Sequence, residues 1–90
     1  MLSYRADRMM EMASLGLLFE LDNRIDELRG MIHVQHQRIA QMELENRDPT
    51  SARKDLDILE RNLREASIQR DQVSRDLERQ GQSEIKRKAT

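Results

Sequence analysis

From Leu18 to Met42 the apolar positions alternate spacings of three and four: Leu18, Leu21, Ile25, Leu28, Ile32, Gln35, Ile39 and Met42, with Gln35 the one polar interruption. This is a heptad pattern with Leu18 at position a, and it predicts a helix whose apolar stripe must be covered by another helix. A second stripe of the same kind runs through Ala52, Leu56, Leu59, Leu63, Ala66, Arg70, Val73 and Leu77. Between the two lies NRDPTS, 46–51, with the only Pro of the chain. Asp48 followed by Pro49 reads as a helix N-cap and first helical residue, where a missing N–H costs nothing. The pattern therefore predicts an all-α, antiparallel helical hairpin, a two-helix coiled coil, turning at about Pro49. Helix 1 is expected at about 4–46 and helix 2 at about 49–80.

In an antiparallel pair each layer joins an a residue of one helix to a d residue of the other, so the two residue numbers sum to a constant. Pairing Ile39 with Leu59 makes that constant 98, with Pro49 at its midpoint. Gln35 then faces Leu63 and Arg70 faces Leu28. A polar seam residue of this kind lowers stability but can specify register or oligomeric state. Gly81 suits a helix stop. On this register a helix ending there reaches back only to Leu17, so residues 1–16 are expected to overhang the hairpin and 82–90 to form a flexible basic tail.

The overhang and the residues just after it are apolar around most of the helix, since MMEMASLGLLFEL (9–21) has only Glu11, Ser14 and Glu20 as strongly polar positions. A helix apolar on all sides is normally buried on all sides. Met9, Met10, Met12, Leu15, Leu17 and Phe19 are thus the candidate partner or dimer contacts, with Met31, Val34, Ile58 and Ile68 adding off-seam apolar surface. The chain is expected to form a homodimer, most simply a four-helix arrangement, and to offer the same surface to another helical protein. Gly16 and Gly30 fall at position f, away from the seam, where they are tolerated or let another backbone approach closely.

Composition narrows the function classes. Ninety residues, 37% hydrophobic and 37% charged, with one Tyr, one Phe and no Trp, match a long charged helix with a narrow apolar seam rather than a large core. The net charge is −1 with both signs interspersed, so the body presents no single-signed field to attract nucleic acid or an anionic membrane. The N-terminal residues lack the tripartite pattern of a secretory signal, and no apolar run approaches the roughly 20 residues that cross a bilayer. With no Cys there is no disulfide framework. The expected location is the cytoplasm.

Candidate chemistry is sparse. His33 and His36 share a helical face, and the constant of 98 brings Glu65 and Asn62 to their levels, but a transition-metal site needs a third or fourth ligand already in place. No metal, cofactor or catalytic residue is assigned. The carboxylates occupy regular surface positions beside Arg, without the pocket that acid–base catalysis requires, and neither a phosphate loop nor an activated nucleophile is present. The expectation is a protein that is not an enzyme. Lys86, Arg87 and Lys88 could touch phosphate, yet no aromatic side chain accompanies them for stacking.

The two-helix plan resembles the small helical-hairpin proteins of bacterial secretion systems, both the secreted kind and their chaperones. The turn Asn46-Arg47-Asp48-Pro49 and the absence of Trp set it apart from the secreted kind with a Trp-x-Gly turn. The likeness is one of architecture, which does not carry function. Two function classes follow from the residues. One is a non-enzymatic coiled-coil interaction module, acting as scaffold, adaptor or small chaperone and self-associating through its Met-rich N-terminal segment. The alternative is a nucleic-acid-associated regulatory protein using the basic C-terminal tail.

Overall fold

The computed structural model describes the backbone of residues 2–89 and the side chains of residues 8–81. Two helices account for nearly all of it, α1 (Leu2–Leu44) and α2 (Thr50–Ala89), and they pack antiparallel along their length as a helical hairpin. The molecule is a rod of 69 × 20 × 15 Å. Its radius of gyration of 20.2 Å compares with about 12 Å for a compact chain of this length.

The turn is built from two caps placed end to end. α1 stops because Asn46 adopts a left-handed conformation, with φ of 56°, a region that Asn tolerates better than most residues with a Cβ. The Arg47 N–H then donates to the Met42 carbonyl at 2.8 Å and the Asn46 N–H to the Glu43 carbonyl at 3.2 Å, a Schellman motif that satisfies two end carbonyls. The predicted start of α2 is observed. Asp48 Oδ1 accepts from the Thr50 backbone N–H at 3.0 Å and from its hydroxyl at 2.6 Å, and the Arg53 N–H reaches the Pro49 carbonyl at 2.9 Å. These bonds from Thr50, the hydroxyl foremost, hold the Asp48 carboxyl below its ordinary pKa.

The two predicted stripes do face one another, but seven residues away from the expected register. One cluster of buried side chains joins Ile25 and Leu28 to Ala66, with Leu59 and Leu63 packed on it; the other joins Ile39 to Ala52 and Leu56, with Ile32 and Met42. The layers are therefore Ile39 with Ala52, Leu28 with Leu63 and Ile25 with Ala66, each pair summing to 91 rather than 98, and the same constant places Ile32 level with Leu59. Gln35 faces Leu56, not Leu63, and Arg70 faces Leu21, not Leu28. The midpoint falls between Glu45 and Asn46, where the helix stop lies, and not at Pro49. Heptad arithmetic leaves the constant undetermined by multiples of seven, because a slip of one heptad pairs a with d positions just as before.

Polar contacts specify which multiple is adopted. Gln35, only 9% exposed, donates from Nε2 to the Ala52 carbonyl at 2.9 Å. This bond crosses the seam and ties the one buried polar side chain among the described residues of α1 to the first turn of α2. Arg70 Nε donates to Asp22 Oδ1 at 2.6 Å and Arg53 Nη2 to Glu43 Oε1 at 2.7 Å, both across the hairpin. On the exposed face of α2, Arg75 Nε donates to the Asp71 carbonyl one turn earlier at 3.4 Å.

The helix does not stop at Gly81, and it leaves no overhang. Glycine allows the left-handed turn of a stop but does not impose it, and Gly81 keeps a negative φ while α2 continues to Ala89. With the constant at 91, Ala89 comes level with Leu2, so the two helices run side by side from end to end.

The register is tested by cysteine pairs in a chain that has no cysteine of its own. Ile25→Cys with Ala66→Cys is expected to form an intramolecular disulfide on oxidation, seen by mass, while Ile25→Cys with Val73→Cys, about 10 Å out of register, is not. Adding Gln35→Leu should stabilise the hairpin by about 1 kcal/mol in thermal melts and let the second pair begin to cross-link, as specificity for one register is lost. The cap is tested by Asp48→Ala, which should lower the melting midpoint at pH 7. Because the folded-state pKa of Asp48 is lowered, its contribution is full above the ordinary Asp range and is lost as pH falls through the lowered value; the gap between wild type and variant should close over that acid range.

Candidate interaction surface

Carried back from Leu18, the heptad places Ser14 and Glu11 in the seam, and both are half-buried against α2 at the levels of Leu77 and Gln80. Here the usual arrangement of an amphipathic helix is inverted. The polar residues face the partner helix, and the apolar ones face outward. Met9, Met10, Met12, Leu15, Leu17 and Phe19 all point to solvent, with exposures from 46% at Leu17 to 74% at Met12. The structure thus gathers the six sequence-predicted contact residues onto the outer surface of one stretch of α1. They are uncovered because they lie off the seam, and not because α2 falls short of them.

These residues do not form one stripe. In the heptad frame Met9 and Gly16 occupy f, Met12 and Phe19 b, Leu15 e, and Met10 and Leu17 g, so the surface wraps the whole side of α1 that faces away from α2. Met31 and Val34 continue it along the g and c positions, and Ile58 stands at the same level on α2. Apart from Ile58 and Ile68, the outward positions of α2 are polar or charged across the described side chains.

The interior is correspondingly thin. Seven apolar side chains are buried, none of the described side chains falls below 2% exposure, and the accessible surface is 7702 Å². A compact monomer of 10.7 kDa exposes about 5,500 Å². Large apolar groups left in water over a contiguous stretch mark a contact surface.

The rest of the molecule offers little else. A shallow, open groove lies between Asp22, Asp26 and Arg29 of α1 and Ser67, Arg70 and Asp71 of α2. Three of its charges are engaged with one another: the Arg70 guanidinium donates to Asp22, which raises the Arg70 pKa, and Asp71 approaches the same guanidinium at 3.9 Å. The observed register leaves Glu65 and Asn62 one heptad away from His33 and His36, and His33 Nε2 instead lies 3.3 Å from Gln37 Nε2. Among the described residues no three metal-ligating side chains converge. No helix among them is long and apolar enough to cross a membrane. Lys86, Arg87 and Lys88 lie outside the described side chains. Comparison with protein-family models, with curated proteins and with solved structures finds no match.

The six candidate residues are exposed, as a segment without a polar side implies, but the inversion was not foreseen, although the signal was available: stepping the heptad back from Leu18 lands on Ser14 and Glu11, the two strongly polar residues of 9–17. If Glu11 and Ser14 weaken the seam there, Glu11→Leu with Ser14→Leu should stabilise the hairpin by roughly 1–2 kcal/mol in denaturant unfolding, leaving the outward surface intact.

Proposed function

We propose that this chain is a non-enzymatic coiled-coil interaction module, a scaffold, adaptor or small chaperone, that self-associates through the outward apolar surface of residues 9–19. The observation that carries this reading is the inverted pattern, with Glu11 and Ser14 in the seam and six large apolar side chains facing water. Folding the hairpin cannot account for those six side chains, since it is completed without them. Met and Phe also suit adaptable contacts, because the thioether is flexible and polarizable and pairs well with aromatic rings. The homodimer is the simplest assembly that removes this surface from water, as a four-helix arrangement with both α1 helices inside and both charged α2 helices outside.

Light scattering at micromolar concentration should report twice the 10.7 kDa of one chain. Met12→Glu with Phe19→Glu should return the mass to that of a monomer while circular dichroism keeps its helical signal. Substitution is the sharper test than truncation, because deleting residues 1–14 would also strip the cover from the last turns of α2. A monomeric mass for the unaltered chain would sink the proposal.

A further inference from the structure

We infer that the occupant of this surface is the same surface of a second copy, with the two α1 helices antiparallel and in closest approach at Gly16. This rests on the self-association proposed above and adds its geometry. Three observations support it.

The first is area. The six side chains expose on the order of 750 Å² per chain, taking about 200 Å² for a large side chain in full exposure. Two copies face to face would remove at most about 1,500 Å² from water, since Leu15 at e and Met10 and Leu17 at g flank the contact, and this ceiling reaches the size of a standard protein interface.

The second is Gly16. Glycine in a helix interior is destabilising, and within the hairpin nothing requires it: a Cβ built there meets no atom within 4 Å. It is the third residue of the outward row Met9, Met12, Gly16, Phe19, whose spacings of three, four and three make a second, short heptad seam on the opposite side of α1. In an antiparallel pair these positions form layers summing to 28, Met9 with Phe19 of the second copy and Met12 with Gly16. Each layer joins a long flexible side chain to a ring or to the gap that a missing side chain leaves. A residue with a Cβ at 16 would hold the backbones apart.

The third is charge. Before this row the sequence carries Arg5, Asp7 and Arg8, a net charge of +1; after it Glu20, Asp22, Asp26 and Glu27 stand against Arg24 and Arg29, a net charge of −2. Antiparallel packing sets the basic end of one segment beside the acidic end of the other. Parallel packing would align like charges, which disfavours it.

The test mixes single-cysteine variants. Met9→Cys and Phe19→Cys, each dimeric by light scattering, should form little disulfide alone and a covalent heterodimer when mixed and oxidised. Gly16→Ala supplies a second readout, with two effects of opposite sign. It should raise the melting midpoint of the chain diluted to monomer, because alanine favours helix, and weaken dimerisation at least tenfold. Dimers in which either single variant cross-links to itself would overturn the antiparallel geometry and leave the proposed function standing. So would a Gly16→Ala dimer as tight as the wild type for the close approach. A monomeric mass at all concentrations would overturn both.

Discussion

Everything in this hairpin depends on how two heptad stripes are set against each other along their length. Apolar packing fixes which faces meet but is nearly indifferent to a slip of one heptad, since every a still finds a d. The choice falls to contacts that cannot be repeated seven residues on. Gln35 is the clearest of these: its buried amide needs an acceptor across the seam, and the Ala52 carbonyl provides it. The residue that weakens the seam is thus the one that specifies it. Arg70, reaching Asp22 from an otherwise apolar position, acts in the same sense from the rim.

The turn agrees with this register for an independent reason. A left-handed Asn46 ends α1, and the Asp48 carboxylate caps α2 two residues later, so the reversal is short and confined to 45–49. A register centred on Pro49 would leave the seam around Ala52 without a partner. Two separate local structures, a helix stop and a helix start, therefore bear on a global property, the alignment of helices some 60 Å long.

Register and the length of α2 together decide what the N-terminal third of α1 means. With the alignment centred on Pro49 and α2 ending at Gly81, residues 1–16 would be a single helix projecting past the hairpin, exposed on every side. Under the observed one it has a partner along its seam face, and its polar residues are the ones turned inward. The apolar surface that remains is smaller, one-sided and carried on a two-helix support. That arrangement suits a docking face better than a free helix would, because the helix need not be ordered at the moment of binding.

The local and periodic features of this protein were legible in its sequence. Alternating three- and four-residue spacing fixes helix and face, because side chains repeat every 3.6 residues; Asp48 with Pro49 announces a helix start; and a segment without a polar side implies a surface in need of cover. What the sequence left open was relative position: the register, the continuation of α2 through Gly81, and the inward placement of Glu11 and Ser14. These depend on which atoms of one helix meet which atoms of the other. A repeating pattern is by its nature degenerate on that point, and only the tertiary contacts, down to one hydrogen bond from Gln35 to the Ala52 carbonyl, distinguish one repeat from the next.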